Sequence, residues 1–286
     1  MMQIWHQVFQ PGLFTYPFLI HAWVSASAIA IISAVIGFFV NLRGESFVAH
    51  ALPRGAFAGA AAAFLVGASS LLGLSVFAVA MALGMGTMRR QGEKGVSTAL
   101  ILVMALALGD LFLTVGNAYA PEVFALLFGQ LLGVSASEMI AITILSAVLL
   151  LVVGAVFRPL LLSSTVPEFA AARGVPLTVM NITFTVLVAL AASLTVPVVG
   201  ALLAFSLMIG PAAAGWYLAK SPGRAMAYAV VVALSSVWVS IVIGYDTSLP
   251  VGFLVATFCL IAYGGARWIH FSRSRRAPAP SPRPQT

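Results

Sequence analysis

The sequence predicts an all-α protein, a polytopic membrane helix bundle of about eight or nine transmembrane helices. Of its 286 residues, 62% are hydrophobic and only 7% are charged, and the mean hydropathy is +1.09. An ordinary soluble domain carries roughly 25% charged residues, so this composition excludes that class. We expect one transmembrane domain over residues 1–271 and a disordered, basic, Pro-rich cytoplasmic tail over 272–286.

Long apolar runs give the individual spans, because a membrane-crossing helix needs about 20 mostly apolar residues. Seven runs qualify, and they cover approximately 15–40, 96–115, 139–157, 177–196, 198–219, 225–244 and 251–268. The apolar region 55–88 predicts either two short spans or one span with a re-entrant segment. Two spans there would have only about 17 residues each, the lower limit for crossing the hydrocarbon core.

The distribution of basic residues predicts the orientation. The fourteen Lys and Arg residues fall in alternate loops and in the tail: Arg43, Arg54, Arg89, Arg90, Lys94, Arg158, Arg173, Lys220, Arg224, Arg267, Arg273, Arg275, Arg276 and Arg283. The other loops contain none. Because basic loops stay in the cytoplasm, this pattern predicts nine spans, an external N-terminus and a cytoplasmic C-terminus. It also accounts for the net charge of +7 without a nucleic-acid partner.

Enzyme signatures are missing from the sequence. It has no Gly-x-x-x-x-Gly-Lys-Ser/Thr phosphate loop, no His-Glu-x-x-His and no Gly-x-Ser-x-Gly. The single cysteine, Cys259, allows no intrachain disulfide and is expected to pack in the last span. We therefore expect no catalytic residues and no permanently bound cofactor. A transporter needs only a lined path and a gate.

The segment from Glu45 to Gly55 is the most informative part of the chain. It places a carboxylate, a hydroxyl, an imidazole and a guanidinium next to long apolar runs. Polar groups in such surroundings line a path or pair with each other. His50 is the leading path candidate, and the alternative is an imidazole bonded to a backbone carbonyl near the headgroups. Glu45 lies five residues from His50, about 140° around an ideal helix, so the two would not share a helix face.

Four carboxylates outside this segment are also candidates. Asp110 lies inside an apolar run, where a carboxylate indicates an ion path, although it could instead be protonated or bonded to Thr114. Glu122, Glu138 and Asp246 fall on the side opposite the basic residues. They would give a negative outer mouth to the pathway, or they are simply solvated.

Four ordered segments together resemble the permease family of bacterial zinc, manganese and iron ATP-binding cassette (ABC) importers. The family has Asp-Ala-Leu-Ser-His-Ala-x-Leu-Pro-Gly where this chain reads Ser46-Phe47-Val48-Ala49-His50-Ala51-Leu52-Pro53-Arg54-Gly55. The other three are Phe128–Ser135 (FGQLLGVS), Pro167–Val175 (PEFAAARGV), and Val199–Leu203 followed by Ile209–Ala214 with Pro250–Gly252 downstream. Within them Pro53, Gly55, Gly200, Pro211, Pro250 and Gly252 are the structural motif residues.

The resemblance implies a fold similar to type II ABC importers and a homodimer in the bacterial inner membrane. It also implies cytoplasmic ATPase subunits, an extracytoplasmic solute-binding protein and a divalent metal as the transported substrate, with zinc or manganese favoured. The ATPase would dock on a coupling loop that contains Pro167, Glu168, Phe169, Arg173 and Gly174.

Two positions depart from the family pattern. Ser46 replaces the aspartate that lies four residues before the histidine, and serine is a poorer ligand for a divalent metal. Asp246 lies four residues before Pro250, whereas the family tends to place an aspartate two residues before its Pro-x-Gly. The metal path would therefore comprise His50, Ser46, Glu45 and Asp110 in this chain.

Two other functions remain open at the level of sequence. An ion-gradient-driven secondary transporter would use Asp110 as a proton or sodium site, although no internal repeat supports two inverted halves. A permease of the same family with a non-metal cargo would explain the loss of the aspartate at Ser46.

Overall fold

The computed structural model describes residues 16–87, 94–116, 127–247 and 249–275, and in these ranges the only regular structure is helical. Ten α-helices follow one another: α1 Pro17–Arg43, α2 Ser46–Leu65, α3 Ser70–Thr87, α4 Lys94–Val115, α5 Ala136–Thr165, α6 Pro167–Ala172, α7 Leu177–Val199, α8 Ala204–Leu218, α9 Pro222–Thr247 and α10 Val251–Arg275. A short 3-10 turn, Leu131–Gly133, precedes α5. Eight of these helices are long and apolar enough to cross a membrane, which confirms the predicted all-α membrane class.

The helices run up and down through one bundle. In α1 and α7 the polar contacts pair Ser33 with Thr195 at 3.2 Å and Arg43 with Asn181 at 2.8 Å, so the two helices are antiparallel. The connection from α5 through α6 to α7 lies beside Arg43, because Arg43 also bonds to Ser164. We call the end that carries Arg43 and α6 the basic end, and the other the opposite end.

Over the described residues 55–87, this apolar region contains two helices, and both are long and apolar enough to cross a membrane. The first of them, α2, begins at Ser46, nine residues earlier than the apolar run, and has 20 residues. It continues through Pro53, which is fully buried within it. The hairpin of α2 and α3 is held by a close backbone approach between Gly59 and Gly73, where a Cβ on either glycine would overlap the other's carbonyl oxygen. Small residues allow this approach in an apolar bundle.

The run 198–219 does not form one span, which corrects the sequence expectation. Its first residues complete α7, and Gly200 then leaves the helical region with φ +94°. The helix that follows, α8, has only 15 residues, about 22 Å of rise. Helix α8 is therefore shorter than the roughly 30 Å hydrocarbon core.

The first half of α8 packs against α1. A Cβ on Gly37 of α1 would overlap the Met208 carbonyl, and Asn41 Nδ2 donates to the Ile209 carbonyl at 3.4 Å. These contacts place the first turns of α8 beside the last two turns of α1.

The last helix, α10, continues to Arg275, so the first residues of the expected tail extend that helix. The rest of the tail lies outside the described residues. Cys259 is buried in α10, as expected for a packing residue.

Candidate functional site: the polar face of α2

The polar residues of the most informative segment form one face of α2. Ser46 is the first residue of this helix, and His50 and Arg54 follow at intervals of four. Residues four apart on a helix are neighbours on its surface. All three side chains are half-buried. Glu45 lies outside this array, because it caps the helix with non-helical angles of φ −99° and ψ 32°.

The imidazole of His50 contacts the start of α8. Its ring meets the ring of Phe205 edge-on, with 5.0 Å between the centroids. Phe205 is the second residue of α8, so His50 lies where that helix begins inside the bundle. At this end of α8 the backbone N–H groups of Leu203 and Ala204 donate to the Gly200 carbonyl, and that of Ser206 donates to the Leu203 carbonyl.

Arg54 is the least expected member of the group. Its Nε atom is buried, and it has no hydrogen-bond partner among the residues that the structure describes. A buried guanidinium nitrogen without a partner is costly, because desolvation is then uncompensated. The sequence argument treated Arg54 only as a topology marker. Its position four residues after His50 was the signal that it belongs to the same face.

The metal-ligand set of this face is small. Within the described ranges, no three His, Cys, Asp or Glu residues cluster closely enough to hold a metal ion. His50 is thus a single candidate ligand on α2, with a serine where the resemblance leads one to expect a carboxylate.

The remaining acidic candidates lie away from the α2 face. Asp110 is exposed on α4, and the Thr114 hydroxyl donates to its backbone carbonyl at 2.9 Å rather than to its carboxylate. Glu138 closes a capping box at the start of α5, because its carboxylate accepts a hydrogen bond from the Ser135 N–H at 2.9 Å. Glu138 therefore has a structural role. Asp246 is exposed near the end of α9, and Glu122 lies outside the described residues.

The predicted coupling segment forms a separate short helix at the basic end. Helix α6 has Pro167 at its first position and Glu168 in its first turn, which suits the helix dipole. Phe169 is 46% exposed, and the Arg173 guanidinium lies 4.7 Å from its ring centroid. Gly174, with φ +77°, ends the element. An exposed phenylalanine under an arginine gives this helix an apolar and cationic surface.

Arg43 links this end of the bundle together, a role that the sequence did not reveal. Its guanidinium donates to Ser164 Oγ at 2.7 Å, Ser163 Oγ at 2.9 Å and Asn181 Oδ1 at 2.8 Å. It also lies 4.5 Å from the centroid of the buried Phe184 ring. It therefore ties α1 to the end of α5 and the start of α7, the two helices that flank α6. In the sequence, this role was indicated only by the polar residues at the ends of these apolar spans.

The glycines of the other resembling segments meet at the opposite end. Gly129 and Gly200 have φ of +78° and +94°, and a Cβ on either would overlap the backbone of the other. Gly252 lies in the same place, since its Cβ would meet the Val199 carbonyl at 2.9 Å. A cavity of 280 Å³ beside them is lined by Phe128–Gly133, Val198 and Leu249–Gly252. Segments far apart in sequence thus form one structural unit. Pro211 lies within α8, and Pro250 directly precedes α10.

The fold defines a multi-span helical membrane protein. The PsaBC structure from Streptococcus pneumoniae in complex with a Fab matches with a TM-score of 0.82 at 24% identity, over 90% of this chain and 93% of that chain. This likeness shows the fold.

Comparison of the sequence gives the family. The model of the ABC 3 transport family matches residues 15–268, and the chain belongs to this family. The manganese transport system membrane protein MntC of Listeria monocytogenes is 26% identical, over 94% of this chain and 98% of its own length. The manganese import system permease protein ScaB of Streptococcus parasanguinis is 28% identical, over 89% of this chain and 93% of its own length.

Proposed function

We propose that this chain is the membrane permease subunit of an ABC importer that moves a divalent metal, manganese or zinc, into the cell. The observation that carries the ABC assignment is α6, a short exposed helix between two spans at the basic end. Such a helix offers an ATPase subunit a docking element that is joined to the bundle. The manganese relatives support a metal cargo, and they favour manganese over zinc.

In this mechanism two copies of the chain enclose one pathway, and each uses its α6 to contact an ATPase subunit. ATP binding moves α6, and the movement reaches the pathway through the helices that flank it. His50 and Ser46 on α2 contact the cargo, and a solute-binding protein delivers the cargo at the opposite end. The chain resides in the inner membrane, with the basic end in the cytoplasm.

Metal accumulation tests this function. Cells that lack their own manganese and zinc importers are grown with and without the chain, its ATPase and its binding protein, and metals are measured by mass spectrometry. We expect manganese or zinc to rise at least severalfold, and to fall back when the ATPase is inactivated. Unchanged levels of both metals would contradict the metal cargo, and uptake independent of the ATPase would contradict the ABC mechanism.

The exposed position of Asp110 does not favour a gradient-driven transporter. A proton or sodium site needs an enclosed carboxylate, whereas Asp110 is exposed on α4 in the single chain. Substitution Asp110→Asn separates the two mechanisms, because an ABC importer should keep most of its uptake.

A further inference from the structure

We propose that a cavity between α1, α8 and α10 at the basic end binds an anionic phospholipid of the adjacent membrane leaflet. This inference goes beyond the proposed function and does not depend on the cargo that the chain moves. It follows from the walls of the cavity, its position along the helices and the charges around it.

The walls of the cavity are largely aromatic. It has a volume of about 400 Å³, which lies in the range of small-molecule pockets, and it is lined by Trp216, Tyr217, Tyr263, Asn41, Leu42 and Ala213. The Trp216 ring stacks on the Phe38 ring of α1, with 5.2 Å between the centroids and 8° between the planes. The Tyr217 ring meets the Tyr263 ring edge-on at 5.8 Å. The cavity is therefore shaped by ring contacts that join α8 to both α1 and α10.

The cavity lies where the three helices approach the surface of the membrane. Helix α8 ends at Leu218, directly after Tyr217, and the exposed Arg267 follows Tyr263 by one turn of α10. Trp and Tyr side chains are enriched at the membrane–water interface, because their rings are apolar and their N–H and O–H groups need polar partners. Leu260, one turn before Tyr263, is 69% exposed, so an apolar surface for an acyl chain adjoins the cavity.

The charges around the cavity are positive. The Arg267 guanidinium lies within electrostatic reach of the Tyr217 hydroxyl, and the His270 ring lies 5.5 Å from the Tyr217 ring. Lys220 is exposed two residues beyond the end of α8. Helices α1, α8 and α10 contain no Asp or Glu, and Glu45, the first acid after α1, does not line the cavity. An anionic headgroup is therefore attracted to this position and meets no carboxylate on the cavity walls.

Charge also decides between the possible occupants. The chain beyond Arg275 contains Arg276 and Arg283 and no acidic residue, so the cations beside the cavity disfavour this segment as the occupant. A second copy of the chain would bring the same set of cations. An anionic phospholipid has the opposite charge, and basic pockets between membrane helices bind such headgroups on the cytoplasmic side. Its headgroup would lie against Arg267 and the tyrosine hydroxyls, and its acyl chain would pass along Leu260.

Lipid binding to the purified full-length chain in detergent tests the proposal. Native mass spectrometry compares phosphatidylglycerol with phosphatidylcholine of the same acyl chains, and we expect phosphatidylglycerol to bind at least about fivefold more tightly. Arg267→Gln should lose about fivefold in affinity for phosphatidylglycerol, the effect of one cation near a membrane surface, while Arg267→Lys should retain most of it. Tyr263→Ala should also weaken binding, because it removes a wall of the cavity. Arg158→Gln removes an exposed arginine of α5 outside the cavity, and this matched control should change nothing.

Three results of these titrations would overturn the proposal. They are equal affinity for the two lipids, equal affinity of Arg267→Gln and Arg158→Gln for phosphatidylglycerol, and full displacement of phosphatidylglycerol by inorganic phosphate, which would indicate a site for a soluble anion. Monodisperse elution of each variant shows that it has folded.

Two further variants test the other occupants. Tighter lipid binding after deletion of residues 276–286 would show that this segment fills the cavity. A disulfide between two copies of a Tyr263→Cys variant, made in a chain with Cys259→Ser, would show that a second copy covers it. Either result would overturn the lipid site. Metal uptake is measured separately, so failure of the lipid site leaves the proposed function standing.

Discussion

At the scale of the residue, Arg43 shows how much one side chain can hold together in an apolar bundle. Its three hydrogen bonds join α1 to α5 and α7, and the Phe184 ring covers its guanidinium. Charge-assisted hydrogen bonds are stronger than neutral ones. Because the flanking helices of α6 both depend on Arg43, the residue stabilises the bundle at the proposed docking site.

Substitution Arg43→Ala should destabilise the purified chain by about 3 kcal/mol, because three charge-assisted hydrogen bonds are lost and two serine hydroxyls lose their donor. Thermal unfolding in detergent measures the effect. Arg43→Lys should be intermediate, since an ammonium cannot span the three acceptors. Arg158→Ala removes an exposed arginine of α5 and should have little effect, and equal losses in both alanine variants would contradict the assigned role.

The glycine pair of α2 and α3 gives a second prediction at this scale. A Cβ on Gly59 would overlap the Gly73 carbonyl and the Phe77 side chain, so Gly59→Ala forces the two helices apart. Overpacking of this kind typically costs about 1–3 kcal/mol. Gly154→Ala in α5 is the control, because no atom lies within 4 Å of its added Cβ. A Gly59→Ala variant as stable as Gly154→Ala would show that the hairpin can separate freely.

At the scale of the element, α6 is the part of the fold whose surface is not explained by the chain itself. Ala170 is fully buried, whereas Phe169 remains 46% exposed with Arg173 stacked on it. An exposed aromatic and an arginine are the residue types that anchor interfaces. These residue types support the proposed docking of an ATPase subunit on α6.

Substitution Phe169→Ala should reduce ATP-dependent uptake at least tenfold while leaving the stability of the chain within about 0.5 kcal/mol, since the ring is already half exposed. Uptake and co-purification of the ATPase measure the effect. Phe64→Ala is a matched control, because Phe64 is 47% exposed at the far end of α2. Normal ATPase binding by Phe169→Ala would rule out α6 as the principal anchor.

At the scale of the whole molecule, the nine spans predicted from the sequence would place the two chain ends on opposite sides of the membrane. The described residues contain eight helices that are long and apolar enough to cross a membrane, together with the shorter α8. All polar contacts of Arg43 lie at one end, and the close glycine contacts of Gly129 and Gly200 lie at the other.

The basic end should face the cytoplasm. A fluorescent protein that folds only in the cytoplasm should therefore fluoresce when fused to the C-terminus, and alkaline phosphatase should be active when fused to the N-terminus. Fusions after Thr87 and after Thr247 provide internal controls on the two sides. The reverse pattern of activity would overturn the orientation, and the same activity at both termini would overturn the odd number of spans.

Several features of the fold could be predicted from the sequence. Membrane class and most spans follow from composition and run length, since uncharged stretches such as 139–157 leave few alternatives in lipid. The interruption at Gly200 could not be predicted, because hydropathy counts apolar residues and does not detect a change of φ. Hydropathy therefore predicted one span over the run 198–219, although α8 begins only at Ala204.

The candidate site was predictable only in part. Helical spacing was enough to group His50 with Ser46 and to separate Glu45 from them. The sequence by itself determined that this chain is a helical membrane protein and that polar residues interrupt its apolar runs near residue 50. Only the tertiary structure decided that α8 begins against His50, that the Nε atom of Arg54 is buried, and that Arg43 joins α1, α5 and α7. These facts depend on contacts between residues far apart in the chain, and local periodicity carries no information about such contacts.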